Sequence, residues 1–164
     1  MTSPASTNDS QIALLRHSIA TVAYRGAKAL RGVPQEFATF KAGPKTRTPA
    51  EILAHLGDLY DWALTQCEGQ QKWQETPATN WQADTDRFFA ALGKVDAFLA
   101  SGKPLGMSPE KLFQGAVADS LAHIGQINIL RGIAGASVRA ENYCKADIAA
   151  GRVGSDQAPP EMEF

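Results

Sequence analysis

Thr48-Pro49-Ala50-Glu51-Ile52-Leu53-Ala54-His55-Leu56-Gly57-Asp58-Leu59 is the stretch that decides the fold. A threonine stands at the N-cap position, proline takes the first helical position, and a glutamate follows three residues after the cap. Thr48 and Glu51 can each satisfy a backbone N–H that a helix start leaves without a partner, which makes a capping box. Behind it Ile52, His55, Leu56, Leu59 and Ala63 recur at three- and four-residue steps, so one face is apolar. The pattern predicts a helix to about Glu68, stopped by Gly69.

Upstream, Ile12, Leu15, Ile19, Val22 and Gly26 form a second stripe, and predict a helix from about Asp9 to Leu30 that Gly32 and Pro34 end. Residues 34–47 are a long connection whose Phe37 and Phe40 are expected on the core. Downstream, residues 69–79 are polar and read as a loop. A third helix runs from Asn80 or Trp81 to Ala100, with Thr79 and Gln82 as a cap pair and Phe88, Leu92, Val95 and Leu99 as its stripe. Ser108-Pro109 opens a fourth helix that reaches about Ala134, and a short fifth helix is expected over about Arg139 to Ala150. No segment alternates with period two, so no sheet is expected. Four amphipathic helices of ~20 residues each predict an all-α four-helix bundle with a short additional C-terminal helix. The bundle would span residues 9–150, between a disordered polar leader at 1–8 and an extended tail at 151–164.

A chain of 164 residues, 44% hydrophobic and 20% charged, is long and apolar enough for one self-sufficient core. The net charge is −1 and the Lys and Arg residues are scattered. Nucleic-acid binders concentrate basic residues on one face, so nucleic acid is not an expected partner. No run of 18 apolar residues occurs, and Met1 to Ser10 lacks an apolar signal core, so the chain is expected in the cytoplasm, off the membrane. Cys67 and Cys144 are far apart and form no CxxC motif; both are expected to be buried reduced thiols.

Function should show where a polar residue takes a position that the pattern reserves for an apolar one. His55 does so in the second helix. The fourth helix reads Leu112, Ala116, Asp119, His123, Ile127, Leu130 and Ala134, so Asp119 and His123 stack four residues apart on its apolar face. Two histidines and one carboxylate from two facing helices make a ligand set for a divalent metal, with positions left for water or substrate. The same residues have a plainer reading, in which Asp119 and His123 form an intrahelical ion pair and His55 is a core histidine with one partner. His17 lies opposite its helix's stripe and reads as surface. Asp58, one turn after His55, is a candidate to orient the imidazole, or else a solvated residue. Gln126 is a candidate to donate to a substrate or to hold a ligand, and Arg131 to meet an anionic group at the bundle mouth or, equally, to make a surface salt bridge. Gly125, inside a helix, implies close packing or backbone exposed to a ligand.

With its capped histidine helix at residues 48–55, Trp81 opening the third helix, and His123-Ile124-Gly125-Gln126 followed by Leu130-Arg131 and Gly135, the chain resembles the DinB/YfiT-like metalloenzymes over nearly its whole length. That family carries a histidine in the second helix and an HxxxH pair in the later one, the second His followed by a Gly-Gln step. His55 and His123 match two ligand positions. Asp119 stands where the common pattern has histidine, which replaces a neutral nitrogen by a charged oxygen and favours harder metals. The resemblance implies a four-helix bundle, often a homodimer, with zinc or nickel on three side chains; the two-histidine, one-carboxylate ligand set itself keeps iron or manganese as further choices. It also implies a small-molecule substrate and either thiol-dependent transferase chemistry, using a low-molecular-weight thiol, or hydrolysis. The competing expectation is a non-catalytic, stress-associated binding or dimerisation module without a metal.

Overall fold

The computed structural model describes residues 7–164. Helix α1 spans Thr7–Leu30 and a 3-10 turn follows at Gln35–Thr39; α2 is Pro49–Cys67 and α3 is Trp81–Ala100. The short α4, Pro109–Leu112, runs through a π-helical turn, Phe113–Val117, into α5, Ala118–Ile133. Among the described residues the chain is all-helical, without a strand; an isolated bridge joins Glu141 to Glu163. Thr7 and Asn8, expected in the leader, are the first residues of α1, and the rest of that leader lies outside the described residues. Among the described residues, no helix is long and apolar enough to cross a membrane.

The caps explain the boundaries. At α2 the Glu51 N–H donates to Thr48 Oγ1 at 3.2 Å and the Thr48 N–H donates to Glu51 Oε2 at 2.6 Å, completing the box. Hydrogen bonds from Thr48 hold the Glu51 carboxyl below its ordinary range. At α3 the cap is Asn80, whose Oδ1 accepts from the Ala83 N–H at 2.9 Å. Thr79 and Gln82 do not pair as expected. Thr79 gives both its N–H and its hydroxyl to the buried Asp84, each at 2.9 Å, and Gln82 turns to Asp86. A buried carboxylate must collect donors, and Thr79 is within its reach.

The core lies between the four long helices. α2 packs on α3 and α5, and α1 packs on the same two. Ile19 and Val22 of α1, Leu56 of α2, Phe88 and Leu92 of α3 and Ile127 of α5 are all at most 1% exposed. Phe37 is buried from the connection and meets Trp81 edge-on, while Phe40 is half-buried. This arrangement sets α2 beside α5, so His55 faces the residues of the later helix.

Three expectations need correction. The first concerns the phase of the fourth helix. Its apolar face does not continue from Ala116 to Asp119 and His123; Ser120 and Ile124, at 0% and 2% exposed, take those inward positions. The inward line of α5 runs Ser120, Ile124, Ile127 and Leu130, and Asp119 and His123 each stand one residue before a member of it, about 100° of helix rotation away, at the edge beside α2.

The second concerns Arg139 to Ala150, which are not a helix; only Tyr143–Lys145 form a 3-10 turn. A lone helix of this length is marginal without packing, and here the backbone is engaged elsewhere. Glu141 accepts from the Tyr24 hydroxyl at 2.6 Å and from Lys28 Nζ at 2.7 Å. The Asn142 N–H donates to Met162 O and the Phe164 N–H to Ala140 O. Glu163 also takes Lys28, at 2.8 Å, so the tail folds back onto α1. The third correction is Cys144, which is exposed; Cys67 is buried, and both are free thiols.

Candidate metal centre

His55 projects from α2 and Asp119 and His123 project from α5, one turn apart. His55 Nε2 lies 3.7 Å from Asp119 Oδ2, and His123 Nε2 lies 3.4 Å from Asp119 Oδ1. The two imidazoles meet edge to face, centroids 4.7 Å apart and planes at 85°. One ligand atom from each of the three residues falls within 4.8 Å of the others. Donors at ~2.1 Å from one ion are at most ~4.2 Å apart. The three residues form a group that could hold a single divalent cation if the donors draw together by at least roughly half an ångström.

The surroundings set each donor's state. Burial lowers the pKa of His55, and the neighbouring His123 and Arg47 add to this; Asp119 and Asp58 oppose it. His55 is therefore a neutral imidazole near pH 7, the form a metal needs. His123 Nδ1 lies 2.8 Å from Gln126 Oε1. With an amide oxygen as acceptor, Nδ1 holds the proton and Nε2 turns its lone pair toward Asp119 and His55. Asp119 is 47% exposed against 20% and 12% for the side chains of His55 and His123. The centre therefore sits at the rim of the α2–α5 seam, not in the interior.

No family model, curated protein or solved structure matches the chain significantly. What the centre does must be read from its own residues.

The other candidates divide sharply. Gln126 is at the centre, on His123. Asp58 is buried at 4% exposure and is not bonded to His55; its Oδ1 accepts from Arg87 Nη1 and its Oδ2 from the Thr76 N–H, both at 3.0 Å. It ties α2 to α3 and to the loop before it, so neither of its expected places holds. Arg131 is also buried, at 6%, and its guanidinium donates to the carbonyls of Ala29, Arg31 and Ala136, each at 2.8 Å. It clamps the end of α1 to the end of α5 and is not available to a substrate. His17 is exposed, as expected. Gly125 has open space where a Cβ would be, so close packing does not explain it.

Two neighbours stand outside the site residues chosen from the sequence, where Trp62, Trp73 and Trp81 read as possible pocket lining but more readily as core. Trp73 packs edge-on against His55, centroids 5.6 Å apart, and against Trp62, 5.7 Å apart, while remaining 42% exposed. It comes from the polar loop after α2, and an aromatic amid Gln, Lys and Glu was the available signal. Arg47 precedes the capping box and lines two pockets. One, of about 440 Å³, runs past His123 and Gln126 between Ile52 and Ile133. The other, of about 220 Å³, is polar and opens at His55. The centre thus stands between an apolar and a polar recess.

Proposed function

We propose that the chain is a DinB-like four-helix bundle that holds one divalent metal on His55, Asp119 and His123 and acts as a metal-dependent enzyme on a small molecule. The observation that carries this reading is the convergence of three donors from two helices within 4.8 Å. Two imidazoles and one carboxylate are the set of catalytic zinc sites and of facial iron sites. Zinc or nickel is the first choice, and the anionic oxygen of Asp119 keeps iron and manganese in range. When bound, such an ion lowers the pKa of a coordinated water or of a low-molecular-weight thiol, which suits hydrolysis or thiol-dependent transfer.

The chain's own residues have separate tasks in this reading. Gln126 fixes the tautomer of His123, and burial keeps His55 unprotonated. Asp119 offsets the charge of a cation from the solvent side. The apolar recess past His123 lets a substrate displace water. A homodimer in the cytoplasm completes the proposal. Its support is the pair of exposed side chains Leu14 and Phe113, 67% and 47% accessible, that flank one groove.

A second reading has an observation of its own. At 3.4 and 3.7 Å from the imidazoles, Asp119 is also placed to pair with them once they are protonated, as a non-catalytic binding or dimerisation module without metal would have it. Elemental analysis of tag-free protein separates the two. The metal reading expects about one equivalent of zinc, nickel, iron or manganese in the parent and none in His123→Ala, with helical content retained. Absence of metal from the parent after reconstitution overturns it.

A further inference from the structure

The recess beside His123 has a composition that specifies its occupant more closely than the metal centre does. Its volume, about 440 Å³, is in the range of small-ligand sites. Ile52, Ile129, Leu130 and Ile133 supply apolar wall, and two of these, Ile129 and Ile133, are 65% and 61% exposed. Large aliphatic side chains left in water on adjacent turns of one helix, around a concavity, invite an apolar guest. No acidic residue lines the recess. The one ionised side chain on its wall is Arg47, which forms no ion pair among the described residues. The nearby Glu51 is engaged by the backbone and hydroxyl of Thr48. A guanidinium with open donors beside an aliphatic wall is complementary to an anion joined to an apolar body.

We infer that this recess binds an anionic amphiphile, its carboxylate or like anion on Arg47 and its apolar body along Ile52, Ile129 and Ile133. The inference rests on the proposed metal reading only for what such a molecule meets at the inner end, where His123 lies. The class excludes cationic substrates and strongly polar, multiply hydroxylated ones, for which the wall offers no partners beyond Gln126 and Thr46. Arg47 also lines the polar recess at His55, so an anion held there stands between the two and beside the centre.

The test uses metal-free full-length protein, so that a carboxylate cannot be captured by an ion. Octanoate, octanol and octylamine are titrated by calorimetry or by NMR shifts of the isoleucine methyl groups. Octanoate is expected to bind most tightly and octylamine least. Arg47→Gln is expected to weaken octanoate by about fivefold and leave octanol unchanged, the size of an exposed charge-assisted contact. Ile133→Asn, at an exposed position where folding is not at stake, is expected to weaken octanoate and octanol alike. Equal binding of all three probes, or an Arg47→Gln protein that binds octanoate as the parent does, overturns the inference. Metal content is scored separately. Octanoate selectivity in a protein that never takes up metal leaves this inference standing and removes the metal reading; metal uptake without selectivity does the reverse.

Discussion

On the α3 side of α2, Asp58 is buried and both its oxygens are occupied: Arg87 holds one and the Thr76 N–H the other, while Arg87 reaches further to Asp61 and to the Ala54 carbonyl. One turn earlier on the same helix, His55 faces α5 and meets polar atoms at 3.7 Å and an imidazole edge, none of them at hydrogen-bonding distance. Both places gather titratable groups from two helices. The first is closed at its buried carboxylate, because Asp58 has a partner on each oxygen and the loop after α2 is fastened by it, although the buried Arg87 Nε has none. The second leaves three lone-pair donors close together and unjoined. The contrast is the ground on which we propose function at the α5 side.

The largest expected effect lies on the closed side. Asp58→Ala leaves the Arg87 guanidinium without its buried partner, and should destabilise the fold by about 3 kcal/mol, the lower end for broken buried pairs because Arg87 remains partly solvated. Asp119→Ala, at a half-exposed carboxylate with long contacts, should change metal-free stability by about 0.5 kcal/mol or less. Urea midpoints of the two variants give the comparison directly. Equal losses would mean that the two sides are not held differently.

The next effect sharpens the open side. A metal that binds only the folded chain, supplied at a hundred times its dissociation constant, stabilises by about 2.7 kcal/mol. The parent should therefore melt at a lower temperature after chelation, and His123→Ala should not respond to metal or chelator. The Asp58→Ala protein, although weaker, should keep the full metal response. Loss of that response would tie the centre to the closed network and undo the separation.

The closed and open sides were unequally legible in the sequence. The three long helices α1, α2 and α3 follow from stripes and caps, because those signals are local: Thr48 and Glu51 act across three residues. His55, Asp119 and His123 stood out as polar residues on apolar stripes, and they do come together. Their depth was misjudged, since steps of three and four residues admit either Asp119 or Ser120 after Ala116, and only the packing selects Ser120 as the inward one. Asp58 and Arg87 meet across 29 positions, and nothing in either neighbourhood announces it. The same holds for Arg139 to Ala150. Their local sequence favours a helix, but Tyr24 and Lys28, more than 100 positions earlier, hold Glu141 in place.

Smaller than the Asp58 and metal effects are those of two glycines inside helices, one on each side. A Cβ on Gly57 would lie 2.6 Å from Arg87 Cζ and 2.7 Å from Nη2. That guanidinium cannot swing away without releasing Asp58, Asp61 and Ala54, so the crowding is not relieved by a flexible side chain. Gly57→Ala should cost about 1–2 kcal/mol even though alanine favours helix. A Cβ on Gly125 meets nothing within 4 Å, and Gly125 is in ordinary helical conformation. Gly125→Ala should then stabilise by about 0.5–1 kcal/mol through the unfolded chain's lost freedom, with metal uptake unchanged. Opposite signs in the two midpoints would show that α2 is packed to contact on its α3 side and that α5 stands clear beside His123. If Gly125→Ala instead stabilises the fold but halts metal binding, the backbone beside His123 is itself part of the centre, since the added methyl group would be excluding an approach that the bare glycine permits.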